Sequence, residues 1–284
     1  MADVARTVLV VGVGTMGRGI AQACAAAGIR VRLCDVDRAT AERGLQGVLE
    51  TLDRLVARGK LDAAERAAIA ARIELASDLE SGAADADACI EAVPERIELK
   101  LETFARLDRV ARPDALLATN TSSLSVTEIA AATSRPDRVV GTHFFNPVPV
   151  MELLEVVRGL RTDEATVERA VALGRRLGKT PIVVRDFPGF ATSRLGVVLG
   201  AEAIRMLEQG VASAEDIDRA MELGYRHPMG PLRLTDLVGL DVRLAILEHL
   251  HRELGEAFRP PALLRQMVRA GKLGRKSGEG FYRY

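Results

Sequence analysis

Thr7-Val8-Leu9-Val10-Val11-Gly12-Val13-Gly14-Thr15-Met16-Gly17 is the stretch on which the fold turns. Thr7 to Val11 form an unbroken β-branched and aliphatic run, as expected of a strand buried on both faces of a parallel sheet. The glycines that follow are spaced G-x-G-x-x-G, a helical pattern runs from them to Gly28, and a second apolar run at 29–34 ends against Asp35. This is one βαβ unit with glycines in its first turn. Gly12 suits the tight turn, Gly14 lets the backbone approach a pyrophosphate, and Gly17 lets helix and strand pack closely. Thr15 and Met16 open the helix, whose first N–H groups and positive dipole face phosphate. Asp35 is placed to accept hydrogen bonds from adenosine ribose hydroxyls and to repel a ribose phosphate, so the unit is expected to bind NAD rather than NADP.

Working outward, further strands are expected at 88–92, 116–119, 139–144, 153–157 and 182–184, with helices between them, notably at 40–58 and 96–111. This alternation predicts an α/β fold, a Rossmann-like doubly wound sheet. After Asp186-Phe187-Pro188-Gly189 the strand pattern stops, and helical stretches follow at 194–209, 215–223, 232–254 and 262–270. The expected organisation is a Rossmann domain over 1–186 and an all-helical domain over 187–284. Two domains also suit 284 residues at roughly 150 per domain. Ser125 with Glu128, and Ser213 with Asp216, have the spacing of helix N-terminal capping pairs. Residues 1–6 lead directly into the first strand, with no room for a signal peptide.

Lys+Arg and Asp+Glu each number 39, giving a formal net charge of zero. That balance argues against bulk nucleic acid or an anionic membrane surface as partner. Apolar runs fall far short of the ~18 residues of a membrane span. Cys24, Cys34 and Cys89 form no C-x-x-C pair and read as reduced core thiols, in keeping with the cytoplasm. No His/Cys/Asp/Glu cluster has metal-ligand spacing, so no metal is expected. Only five cations are lysine (Lys60, Lys100, Lys179, Lys272, Lys276), which singles each of them out.

Thr119-Asn120-Thr121-Ser122-Ser123, then His143-Phe144-Phe145-Asn146-Pro147-Val148-Pro149-Val150-Met151, Glu155, and Lys276-Ser277-Gly278-Glu279-Gly280-Phe281-Tyr282 join the glycine turn in one pattern. With these motifs the chain resembles, over essentially its whole length, the 3-hydroxyacyl-CoA dehydrogenase family, and most of all its bacterial 3-hydroxybutyryl-CoA branch. The resemblance implies NAD-dependent interconversion of (S)-3-hydroxyacyl-CoA and 3-oxoacyl-CoA, a step of fatty acid metabolism, in a homodimer joined through the C-terminal domain. It places the general base or acid on His143 and its carboxylate partner on Glu155. Ser122 and Asn146 fall at the substrate and the cofactor, and Glu95 and Lys100 at the dinucleotide. Lys60, in Arg58-Gly59-Lys60, falls at the CoA phosphates. Ser193 stands where the family has an asparagine near the substrate; a hydroxyl is shorter and lacks the amide's two donors.

The residue types suit the chemistry. Imidazole changes charge near neutral pH, so it can take or return an alcohol proton. A carboxylate fixes its tautomer and stabilises the imidazolium. Taken singly, the same residues have bland roles: His143 as a hydrogen-bonded structural residue, Asn146-Pro147 as a turn, Lys60 and Lys100 as solvated helix charges. Two other functions stay open. Ser193 is compatible with a related dehydrogenase of sugar acids such as gulonate. A non-enzymatic, crystallin-like dinucleotide-binding protein is the second, against which the combined presence of His143, Glu155, Ser122 and Asn146 weighs.

Overall fold

The computed structural model describes residues 5–284; the expectation about the chain start falls, for residues 1–4, outside the described residues. The chain divides into two compact units, one ending at Asp186 and the other spanning Phe187–Tyr284.

The first unit is built on an eight-stranded sheet. Its strands are β1 (Thr7–Val11), β2 (Arg30–Cys34), β3 (Ile73–Leu75), β4 (Ala88–Glu91), β5 (Leu116–Thr119), β6 (Val139–Phe144), β7 (Leu153–Arg158) and β8 (Thr180–Arg185). Their order is β3-β2-β1-β4-β5-β6-β7-β8. All five residues of β1 are buried, which is why it reads as a continuous apolar run. The chain winds outward from β1 through β2 to β3, then returns to place β4 on the other side of β1. That reversal opens the crevice in which ligands of such sheets bind. Val8, Val10, Ile20, Ile29, Leu33, Ile90, Ala118 and Val140 form the buried core around it.

Two features of the sheet escape the sequence pattern. β3 is only three residues long and half exposed, so it has no periodicity to read. It is set by pairing with β2, in register Val31↔Ile73 and Arg32↔Glu74, where Arg32 Nε donates to Glu74 Oε1 at 3.0 Å. β7 runs antiparallel to β6, in an otherwise parallel sheet. Only residues 145–152 join these strands, too few for the crossover that a parallel pair requires. The helix Glu164–Arg176 then returns the chain so that β8 lies parallel to β7.

The second unit contains the helices Thr192–Glu208, Ala214–Arg219, Pro231–Val238, Leu240–Leu254 and Ala262–Arg269, and its described residues form no strand beyond isolated bridges. Val197, Ile204, Leu232, Leu247, Leu250 and Leu264 make its core. The single helix expected over 232–254 is corrected to two. Gly239 has φ +105°, which no helix residue adopts, and it separates Pro231–Val238 from Leu240–Leu254. The motif at 276–282 docks the chain end: Asp236 accepts from the N–H groups of Phe281 and Tyr282, both at 2.9 Å, and Lys276 donates to Asp241. Ser125 and Ser213 each accept from the backbone three residues on, as capping residues do.

Cys24, Cys34 and Cys89 are free and buried. Burial pushes the Cys24 and Cys89 thiols up to about 12, so they serve as packing rather than as nucleophiles. No described helix is long and apolar enough to cross a membrane.

Candidate active site

The glycine turn lies at the C-terminal end of β1. Gly12 has φ +93°, and a Cβ there would lie 2.6 Å from the Ala92 carbonyl oxygen. A Cβ on Gly17 would lie 1.8 Å from the Gly12 oxygen, so the helix Thr15–Ala26 sits against the strand only because neither residue has a side chain. Gly14 differs: a Cβ there would meet nothing within 4 Å. Its openness, and a helix start with no side-chain cap, leave the first backbone N–H groups available to a phosphate. Thr15 is exposed on this turn and Met16 half-buried against the core.

Asp35, at the end of β2, is tied into the same turn. Its carboxylate accepts from Val13 N–H and from its neighbour Val36 N–H, both at 2.7 Å. A cavity of about 450 Å³ lies beside it, lined by Gly12, Asp35, Val36, Val93, Pro94, Leu99 and Thr103. Its lining also includes Asp37, Asp78, Glu102, Arg38 and Arg106. The apolar walls from Val36, Val93, Pro94 and Leu99, with Asp35 at the end of β2 and an uncapped helix start beside it, fit an adenosine with its pyrophosphate. These residues are therefore a fitting cradle for NAD.

The second group of residues is assembled by pairing β6 with β7. His143 and Glu155 are direct cross-strand partners, and His143 Nδ1 lies 2.7 Å from Glu155 Oε2. His143 is buried and Glu155 has no exposed surface. The carboxylate holds the proton on Nδ1 in the neutral ring, which makes Nε2 the basic nitrogen. The Phe145 ring packs 4.5 Å from the imidazole, fixing its plane.

Beside this pair, a buried ionic network holds the Ser122 loop. Lys100 has no exposed surface; its Nζ lies 2.7 Å from Glu91 Oε1 and 3.4 Å from Glu95 Oε2. Glu91 also accepts from Thr119 Oγ1 at 2.6 Å and Val93 N–H at 2.7 Å. Glu95 accepts from Thr121 Oγ1 at 2.6 Å and from the N–H groups of Ser122 and Ser123 at 2.8 and 3.1 Å. Burial would raise the Glu95 carboxyl, but the Lys100 charge and these donors outweigh it and hold it below the ordinary glutamate value. Lys100 is thus neither a solvated helix charge nor an outward-facing contact: its ammonium acts on the site through the two carboxylates.

Asn146 is exposed, next to a cis Asn146–Pro147 bond, on the loop after β6. Lys179 supports that loop from beneath, donating to the Val148 carbonyl and, at 2.8 Å, to that of Met151. Asn120 Oδ1 accepts from Phe144 N–H at 3.0 Å, tying the end of β6 to the segment that carries Ser122. Lys60 is exposed in the turn after the helix Arg38–Ala57. Ser193 is half-buried in the first turn of the helix Thr192–Glu208. Sequence patterns point to neither Glu91, Asn120 nor Lys179 as site residues, although an acid closing a buried strand and one of five lysines were visible signals.

Comparison with known proteins bears on this arrangement. Residues 7–187 match the NAD-binding domain of 3-hydroxyacyl-CoA dehydrogenase and residues 189–284 match its C-terminal domain. The probable 3-hydroxybutyryl-CoA dehydrogenase of Bacillus subtilis is 49% identical over 280 residues, 98% of this chain and 97% of its own. The 3-hydroxybutyryl-CoA dehydrogenase of Mycobacterium tuberculosis is 45% identical over 287 residues, covering 100% of both. The crystal structure of (S)-3-hydroxybutyryl-CoA dehydrogenase from Ralstonia eutropha is similar with a TM-score of 0.94 at 46% identity, over 99% of each chain. The chain belongs to the 3-hydroxyacyl-CoA dehydrogenase family.

Proposed function

We propose that this protein is an NAD-dependent enzyme that interconverts (S)-3-hydroxyacyl-CoA and 3-oxoacyl-CoA. The observation that carries the proposal is the buried His143–Glu155 pair, 2.7 Å apart, in a chain of this family with a fitting dinucleotide cradle. Gly12, Gly14, Thr15, Met16, Gly17 and Asp35 would hold NAD, which takes or returns a hydride at the substrate's 3-carbon. His143 takes the hydroxyl proton on Nε2 during oxidation and gives it back to the forming alkoxide in reduction. Glu155 keeps the ring in that tautomer and balances the charge that develops on it. Ser122 and Asn146, at the substrate and the nicotinamide end, orient the 3-oxygen. Glu95 and Lys100 position Ser122 through its backbone, and Lys60 is the cation for the CoA phosphates.

The test is NADH oxidation with acetoacetyl-CoA set against NAD reduction with gulonate. The acyl-CoA reaction is expected to dominate. A strong preference for the sugar acid would overturn the proposal, as would tight NADH binding with turnover of neither compound. For the cofactor, Asp35→Asn is expected to raise the NADP/NAD ratio of kcat/KM by about tenfold or more, because the variant no longer repels a ribose phosphate. An unchanged ratio removes Asp35 from that role.

The second unit is further proposed to pair with a second copy. Leu195, Leu223, Tyr225 and Val238 are exposed apolar residues of that unit, which supports a covered face. Sedimentation at micromolar concentration is expected to give a mass near twice that of the chain.

A further inference from the structure

Lys179 stands directly before β8 and is only 8% exposed. Its ammonium donates to the carbonyls of Val148 and, at 2.8 Å, of Met151. Burial pushes it below the ordinary lysine value, and the charge of Glu152 opposes that shift only in part. A buried cation received by neutral carbonyls is a weak source of stability; an apolar residue would fill the same place at less cost. What the lysine holds therefore explains it better than what it contributes to folding.

It holds the loop at 145–152, which joins β6 to β7, the strands of His143 and Glu155. Within that loop the N–H groups of Val150 and Met151 both donate to the Pro147 carbonyl, at 2.9 and 3.0 Å, so its own hydrogen bonds are local. Val148 is buried and seats on the dinucleotide helix Thr15–Ala26, where a Cβ on Gly19 would lie 2.9 Å from the Val148 Cβ. The loop is thus gripped on two sides, by Lys179 through its carbonyls and by the helix through Val148. Phe145, at its start, packs on the His143 imidazole. Asn146 follows His143 by three residues, which keeps their Cα atoms within about 11 Å of each other whatever the loop's shape.

We propose that Lys179 is a positioning residue for the reaction: with Val148 seated on Gly19, its ammonium sets where Asn146 stands relative to the His143 imidazole and the dinucleotide helix. This rests on the role proposed above for Asn146 at the substrate's 3-oxygen. Lysine suits the task, because an ammonium is a compact charge with three rotatable donors and can reach two separate carbonyls at once. Without it the loop keeps its local turn but loses this hold, and a displacement of about 1 Å in a positioned group can cost about a hundredfold in rate.

The test is a double-variant cycle on the NADH-dependent reduction of acetoacetyl-CoA. Lys179→Met is expected to lower kcat by about ten- to a hundredfold, while NADH affinity, followed by fluorescence, stays near that of the wild type. In an Asn146→Ala protein the same change should lower kcat by no more than about twofold, because a lysine that acts through Asn146 then has nothing left to position. Lys179→Arg, which keeps the charge and the donors, should restore part of the rate. Gly19→Ala presses on the loop from the opposite side without touching the lysine. It should behave as Lys179→Met does in both backgrounds, and it tests the same hold if Lys179→Met does not fold. The positioning role is overturned by an unchanged kcat in Lys179→Met. An equal fall with and without Asn146 also overturns it, since that is what a general loss of structure produces. Wild-type turnover in Asn146→Ala alone removes Lys179's role together with that of Asn146 and leaves His143 its own. Absence of turnover in the wild-type protein would strike the activity, and the positioning role with it.

Discussion

Replacing His143 with alanine is expected to lower kcat/KM for 3-oxoacyl-CoA reduction by about 10²–10⁴-fold, the usual contribution of a positioned general acid–base. NADH binding, followed by its fluorescence, should persist, because the glycine turn and Asp35 belong to the ends of β1 and β2, strands that do not pair with β6. The fold should persist with some loss of stability, because Glu155, which has no exposed surface, loses its hydrogen bond to the imidazole. Glu155→Gln separates the two effects. It preserves the shape of the pair and removes the charge that balances an imidazolium, so it should lower turnover with little change in NADH affinity. Wild-type turnover in His143→Ala would remove the imidazole from the reaction.

The second large effect concerns stability. Lys100→Met is expected to destabilise the first unit by about 3–5 kcal/mol, because it strips the cation from Glu91, whose side chain has no exposed surface. For a unit of this size that corresponds to a fall in Tm of roughly 10 °C. Methionine nearly matches the aliphatic stem, so packing loss is a minor part. The double variant Lys100→Met/Glu91→Gln should recover much of the loss, since it leaves no buried charge unmatched. Glu95 retains its Thr121 and Ser122 donors in either case, but without the Lys100 charge it holds the loop less firmly, and turnover should fall with stability. A Lys100→Met protein with unchanged Tm would refute the energetic role given to the pair.

Most of the architecture was legible because local chemistry imposes it. A strand buried on both faces must be apolar throughout, a turn pressed against a neighbouring strand must be glycine, and a serine three residues before an acid suits a helix start. Thr7–Val11, Gly12 and Ser125 follow from those demands one at a time. The helical stretch at 232–254 misled because its apolar period continues across Gly239; only the positive φ at that residue breaks it. β3 was invisible because three residues carry no period and its place is dictated by β2.

The candidate site divides along the same line. His143 and Glu155 are separated along the chain by a loop, and no spacing rule says that they touch. The short connection at 145–152 forces β7 antiparallel, and the resulting register puts them opposite one another. Lys100 shows the reverse case: on the sequence it is a helix cation able to face water or ligand, and tertiary packing buries it against two acids from other segments. Arg243 is the extreme, an ordinary helix residue by pattern whose lack of a counter-charge exists only in three dimensions. By itself, the sequence determined the dinucleotide unit, the change from sheet to helices near Asp186, and which residue types could do the chemistry, because those depend on contacts within a few residues. Tertiary structure alone decided which charges meet, which are buried, and which is left without a partner, because electrostatic energy depends on distance through space and on access to water rather than on position along the chain.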